Sequence, residues 1–185
     1  MGIKIRAATP PDAKEIARIH VDTWRAAYKD IVPGEYLANL SYAESQQMWR
    51  LIISEGDQAG CVFVAEEGGT LFGFASGSPR RRFSQGFAVY RGELQALYVL
   101  PSRQRAGAGR QLVGAVACCL AECGVSSMLL WVLKENRIAR RFYESLGGVP
   151  VGEDSFELGG VELSEVAYGW KDLNVLRTVT GSNSP

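Results

Sequence analysis

Only one histidine, His20, occurs in this chain of 185 residues, and none of its four cysteines is placed in sequence to partner it. Nucleophilic catalysis needs a base beside the thiol, so an acyl-enzyme route through cysteine is not expected. Net charge is also missing. Twenty Lys and Arg balance twenty Asp and Glu, and without a whole-molecule field neither nucleic acid nor an anionic membrane is expected as a partner. No apolar run approaches the roughly 20 residues that cross a bilayer. The start, Met1-Gly2-Ile3-Lys4-Ile5-Arg6, has no signal-peptide apolar stretch, so a cytoplasmic protein is expected. Arg6 stands where a myristoylation motif wants Ser or Thr, which discards that reading. Cys61, Cys118, Cys119 and Cys123 include no paired Cys-x-x-Cys spacing; they read as small buried hydrophobes, with no metal.

What is present is an ordinary globular composition, 46% hydrophobic and 22% charged, in one domain over residues 1–175 with a flexible tail over 176–185. Ile3 to Ala7 alternates like a short strand. A helix follows with Thr9 as its cap, Pro10 and Pro11 in its first turn, and Ile16, Ile19, His20, Thr23, Trp24, Ala27 and Tyr28 on one stripe. Tyr36 to Leu40 and Tyr42 to Ile53 read as a second helical segment bent near Ser41. A hairpin around Gly68-Gly69 joins Cys61–Glu66 to Leu71–Ser78, and an arginine-rich loop, Arg80 to Arg91, leads into a strand from Glu93 to Leu100. A helix bearing Leu112, Val113, Val116, Ala117 and Leu120 runs to Gly124, and the apolar run Met128–Leu133 is a strand buried on both faces. Asn136 caps a further helix ending at Gly147, and Val149–Leu158 with Val161–Trp170 make a last hairpin across Gly159-Gly160. The expected fold is α/β (α+β): a mixed, mostly antiparallel sheet with one parallel βαβ step and helices on both faces.

The chemistry-bearing stretch is Gln104-Arg105-Ala106-Gly107-Ala108-Gly109, between a strand and a helix start. Glycines allow a tight turn and close backbone approach, and a helix N-terminus favours a phosphate. A dinucleotide loop would want a third glycine where Leu112 stands; a nucleoside triphosphate loop would want Gly-Lys-Ser or Gly-Lys-Thr, but Arg110-Gln111 follows Gly109. Neither fits. A pyrophosphate held by one helix start does.

Three stretches in order, Glu93-Leu94-Gln95-Ala96-Leu97-Tyr98-Val99, then Gln104-x-x-Gly107-x-Gly109, then Asn136-x-x-Ala139-x-x-Phe142-Tyr143-x-x-Leu146-Gly147, resemble the GNAT superfamily of acyl-CoA dependent N-acyltransferases. The resemblance spans residues 3–172. It implies that backbone groups of Leu97, Tyr98 and Val99 pair with the pantetheine arm of acetyl-CoA where two parallel strands splay. It further implies that Gln104 opens the glycine loop, and that the amides of Arg105, Ala106, Gly107, Ala108, Gly109 and Arg110 wrap the pyrophosphate. By the same likeness Asn136 bonds the arm near its thiol end and Tyr143 is the general acid beside the sulfur. The co-substrate is then acetyl-CoA, without a metal.

An amine must be neutral to attack a thioester, and an ordinary ammonium titrates near ~10. Glu93 is the candidate base nearest in sequence to the acyl end, and regular alternation would place Glu93, Gln95, Leu97 and Val99 on one face. Trp24 and Tyr28 are core residues that also fit an acceptor-site wall, and His20 reads as packed or at the pocket edge. Arg80, Arg81, Arg82 and Arg91, with Phe83 the one aromatic among them, read as a solvated loop. The acidic last hairpin, with Glu153, Asp154, Glu157, Glu162 and Glu165, admits a cationic amine acceptor, or simply solvated strands. Two competing functions are a non-catalytic acyl-CoA binding or sensing module, and an interaction domain, a homodimer for instance, built on a degenerate copy of this fold.

Overall fold

The computed structural model describes residues 2–56, 60–79 and 86–177. Arg80, Arg81, Arg82, Phe83 and residues 178–185 of the expected tail lie outside them. Strands β1 (Lys4–Ala7), β2 (Cys61–Glu67), β3 (Thr70–Pro79), β4 (Gly92–Val99), β5 (Met128–Leu133), β6 (Val149–Leu158) and β7 (Val161–Trp170) form one sheet in the order β1-β2-β3-β4-β5-β7-β6. Every pair is antiparallel except β4 with β5.

Helix α1 (Ala13–Ala27) follows a 3-10 turn at Pro10–Asp12 rather than starting at Pro10. The Asp12 carboxylate accepts from the Thr9 backbone N–H at 2.7 Å and from the Thr9 hydroxyl at 2.9 Å. The Arg6 guanidinium donates to both Asp12 oxygens and to Glu66, and its hydrogen bond is the main reason the Asp12 carboxyl is held down to about 2. One arginine thus ties the first strand, the start of the first helix and the second strand. The expected bent helix is two helices, α2 (Gly34–Ala38) and α3 (Tyr42–Glu55), because Ser41 leaves the helical region and its hydroxyl caps Glu44 N–H at 3.2 Å.

Helices α1 and α3 pack Ile16, Ile19 and Trp49 on Val64, Phe74 and Ala96 of one sheet face. On the other face α4 (Ala108–Glu122) buries Leu112, Val113, Val116 and Leu120 against Ala75, Leu94, Val99, Leu130, Val166 and Tyr168, with Tyr143 and Leu146 from α5 (Arg137–Ser145) and its end. Leu176, expected in the tail, is 2% exposed: with Leu173 it joins this core through a short helix α6 (Asn174–Arg177), so the globule extends past residue 175. The cysteines are free but not fully buried as expected. Cys61, Cys118 and Cys119 are half-buried and Cys123, at the end of α4, is exposed. Among the described residues no helix is long and apolar enough to cross a membrane.

Register corrects one further expectation. Ser76 lies opposite Ala96 and Gly77 opposite Leu94, so Gln95 is an extra residue in β4. A bulge of one residue inverts the alternation beyond it. Leu94, Leu97 and Val99 therefore face α4, while Ala96 and Tyr98 face α1 and α3. Glu93 lies opposite Leu94 in the pleat, so it does not share a face with Leu97 and Val99.

Candidate functional site

The parallel step between β4 and β5 is short. Gly92 pairs with Met128 and Glu93 with Leu129; beyond the bulge β4 stays with β3 as far as Val99 and β5 stays with β7 as far as Leu133. Bulges bend and twist a strand. The two strands consequently part and leave a wedge in the sheet.

Leu100 N–H donates to Phe72 at 2.9 Å, which fixes the even-numbered residues of this end of β4 as those bonded to β3. Leu97 and Val99 accordingly turn their backbone groups into the wedge. Tyr98 does not: its backbone is spent on β3, and it reaches the site through its side chain. The Val99 carbonyl is also engaged, because the Gln104 side-chain amide donates to it at 3.0 Å. Gln104 thus ties the glycine loop to the end of β4.

The loop next to this wedge turns through two left-handed residues, Arg105 at φ 64° and Gly107 at φ 87°. Gly107 precedes α4, whose first helical hydrogen bond is donated by Gln111 to Gly107 at 3.1 Å. The N–H groups of Ala108, Gly109 and Arg110 therefore have no carbonyl from a preceding turn, and they form the positive end of the helix. Gly109 has a packing reason as well: a β-carbon there would lie 3.3 Å from the Phe142 ring, so glycine lets α5 close on the start of α4. Arg105, Ala106 and Gly107 are exposed. Exposed backbone donors at a helix start are of the kind that can hold an anion.

Asn136 and Tyr143 sit on α5 at the other side of the wedge. Asn136 Oδ1 caps the helix by accepting from Ala139 N–H at 3.1 Å, and its amide lies beside the Tyr28 hydroxyl. Tyr143 is 8% exposed, and burial pushes its hydroxyl well above the ordinary tyrosine value, which keeps it protonated. Phe142, the neighbouring ring, is half-buried. Of the two adjacent aromatics, the tyrosine takes the core position.

On the α1 side, Trp24 Nε1 donates to the Tyr98 hydroxyl at 2.8 Å, and the Trp24 ring meets Tyr28 edge-on at 4.9 Å. His20 is packed, as its place on the stripe predicted, among Trp24, Trp49, Phe74 and Tyr98. Its Nδ1 accepts from Trp49 Nε1 at 3.2 Å, and burial lowers its pKa to about 4.

Glu93 is on this same side. The register sets it beside Leu129 and Glu165 beside Leu133, four positions along β5; the Glu165 carboxyl is pushed up first by burial and then by the charges of Asp154 and Glu93. Asp154 stands opposite Glu165 in the β6–β7 register, whereas Glu153 points to the other face and binds Lys134 at 2.6 Å. Phe87 completes a wall: its ring meets Trp131 at 5.3 Å and covers Gly152, where a β-carbon would lie 2.6 Å from it. Trp131 in an otherwise aliphatic strand was a visible cue to this wall. Phe87 offered none, and the pairing of Asp154 with Glu165 depends on register. Among the described residues no group of three or more His, Cys, Asp and Glu is placed to hold a metal ion.

Comparison with known proteins bears on the same stretches. The family model described as Acetyltransferase (GNAT) family matches residues 14–148. An uncharacterized N-acetyltransferase of Bacillus subtilis (strain 168), YuaI, is 43% identical over 178 residues, covering 96% of this chain and 98% of that protein. An aminoglycoside N(6')-acetyltransferase type 1 of Salmonella typhimurium is 28% identical over 140 residues, or 74% of this chain and 90% of its own. Among solved structures, yncA of Salmonella typhimurium with its cofactor acetyl-CoA superposes with a TM-score of 0.69 at 22% identity, covering 94% of this chain and 95% of that one. The paia N-acetyltransferase of Thermoplasma acidophilum, in complex with coenzyme A, gives 0.69 at 19% identity over 90% of this chain and 98% of its own.

Proposed function

The chain belongs to the acetyltransferase (GNAT) family, and from that premise we propose that it transfers acetyl from acetyl-CoA to a primary amine by direct attack in a ternary complex. The observation that carries the reading is the wedge between β4 and β5 opening beside the unpaired N–H groups of Ala108, Gly109 and Arg110. An acyl-CoA needs both features together, a cradle for its pyrophosphate and a slot that pairs its amide-bearing arm like a strand. An interaction domain or a simple structural turn needs neither.

In this reading the pyrophosphate rests on the start of α4, and the arm runs along Leu97 and Val99 toward Asn136. The thioester then lies near Tyr143. The amine, on the Glu93 side of the sheet, attacks the carbonyl carbon after losing its proton, directly or through water, to Glu93. The carbon is tetrahedral once the C–N bond has formed; its collapse breaks the C–S bond, Tyr143 gives its proton to the leaving sulfur, and the nitrogen's second proton passes through water to restore the Tyr143 hydroxyl. The acceptor we infer is a cationic small molecule. The support is the acidic face of Glu93, Glu165 and Asp154 beside the Trp131–Phe87 wall, together with a relative named for aminoglycosides. For such an acceptor, Asp154→Asn combined with Glu165→Gln should raise KM several-fold while Glu153→Gln leaves it unchanged. Equal KM values in all three proteins would remove the charge argument.

Calorimetric titration with acetyl-CoA tests the cofactor site. Wild type should bind in the micromolar range. Gly107→Glu should weaken binding at least tenfold, about 1.4 kcal/mol, because it sets a carboxylate in the cradle and a β-carbon where φ is 87°. No binding by the wild type would defeat the proposal.

A further inference from the structure

We propose that the Tyr168 hydroxyl, held between Arg140 and Glu144, is a positioning group that fixes the roll of α5 and with it the aim of Tyr143. The inference rests on the acid role proposed for Tyr143 above and concerns side chains that no step of that reaction uses.

Sequence alone sets Arg140 and Glu144 four residues apart on α5, within reach of each other. With the cation nearer the helix N-terminus, that is the weaker order for such a pair. The fold places a phenol between them. Arg140 Nε donates to the Tyr168 oxygen at 3.1 Å, and the Tyr168 hydroxyl donates to Glu144 Oε1 at 2.6 Å. Each bond has one ionised partner, which makes it stronger than a neutral one. Tyr168 itself is a fixed point: it is fully buried in β7, in register with Leu130 of β5 and Pro150 of β6. The same guanidinium donates through Nη1 to the Lys134 carbonyl at 3.0 Å, just past the end of β5, and Lys134 N–H donates in turn to the Ser164 carbonyl of β7 at 2.9 Å. One arginine therefore hooks α5 to two strands.

The helix needs those hooks. Of its nine residues only Tyr143 is buried, so apolar packing constrains its rotation about its own axis weakly. Past its far end Trp170 Nε1 donates to the Leu146 carbonyl at 2.9 Å, a main-chain tether that anchors the end of the helix. Side-chain contacts set the roll. Arg140, Tyr143 and Glu144 stand at i, i+3 and i+4, so they are neighbours on the helix surface, and the contact that holds the first and third directs the second. The Tyr143 ring also leans on the ring of Tyr168, with 6.3 Å between centres. A roll of about 10° moves an atom about 6 Å from the helix axis by about 1 Å. A misplacement of that size can cost about 10²-fold in rate.

Tyr168→Phe keeps the ring in the core and removes only the hydroxyl. Expected is a fall in kcat on the order of 10-fold, with KM for acetyl-CoA within about twofold of wild type. The decisive readout is the same substitution made in the Tyr143→Phe variant: with no acid left to aim, it should lower kcat further by less than about twofold. Equal losses in the two backgrounds would mean that Tyr168 serves the fold alone and would overturn the proposal. Unchanged kcat in the single variant, or a change confined to KM, would do the same. Glu144→Ala, at an exposed position, repeats the test without touching the core; it should show the same loss of kcat and the same dependence on Tyr143, and a loss independent of Tyr143 would again count against the positioning role. Full turnover by Tyr143→Phe would be seen before any of these variants is made, and would remove the acid role together with this one.

Discussion

Tyr143→Phe should lower turnover on the order of 10² to 10⁴-fold, with the affinity for acetyl-CoA unchanged. The ring is buried in the main core beside Tyr168 and Trp170, at 6.3 and 6.4 Å between ring centres, so phenylalanine preserves the packing. Only the proton is lost. A thiolate leaving without it carries its full charge into a site whose burial already disfavours ionisation of the phenol, and a positioned acid removes that charge as it forms. The measurement is steady-state thiol release with a saturating amine, paired with calorimetry of acetyl-CoA. Unchanged turnover with unchanged affinity would take the acid role away from Tyr143. A loss of affinity equal to the loss of turnover would instead make it a binding residue.

That residue illustrates what the sequence discloses. The spacing of Asn136, Ala139, Phe142, Tyr143 and Leu146 defines one helix, and β5, β6 and β7 fall where apolar patterning and glycine turns predict them. Local signals suffice there because capping, periodicity and turn chemistry act within a few residues. Glu93 shows the limit. Its face depends on the extra residue at Gln95, which nothing in the run Glu93-Leu94-Gln95-Ala96-Leu97 announces. Bulges answer to the neighbouring strand and to the helix packed on it: Gly77, opposite Leu94, has Val116 only 2.4 Å from where a β-carbon would stand. The same holds for Tyr98. Nothing near it in the chain reveals that its backbone serves β3 while its hydroxyl meets Trp24, which is distant in sequence. The glycine loop and α5 are local and legible; the face that gathers Glu93, Glu165 and Trp131 is assembled from β4, β5 and the β6–β7 hairpin and is not.

His20, which no step of the reaction uses, governs how the fold should respond to acid. Because an indole N–H can only donate, Trp49 fixes Nδ1 as the unprotonated nitrogen, and Ser45 Oγ lies 3.2 Å from the same atom. Protonation would set a second N–H against that donor, inside a box of Trp24, Trp49, Phe74 and Tyr98. The folded pKa is accordingly lowered by burial from 6.5 to about 4. Between those values the unfolded chain holds a proton that the native state refuses, so stability rises with pH through the window. It is fully present above 6.5 and falls as the solution is acidified toward 4, at about 1.4 kcal/mol for each pH unit. Asp12, held down to about 2 by Arg6, titrates below this range in the folded protein, and Glu165, pushed up by burial and its acidic neighbours, acts with the opposite sign. A His20→Asn variant separates the contributions, since it retains an acceptor for Trp49 but cannot gain a proton. Urea unfolding at pH 6.5 and 4.5 should show wild type losing about 2 to 3 kcal/mol more than the variant. Parallel losses in the two proteins would mean that the imidazole is protonated without cost in the native state, and that the box around it opens to water.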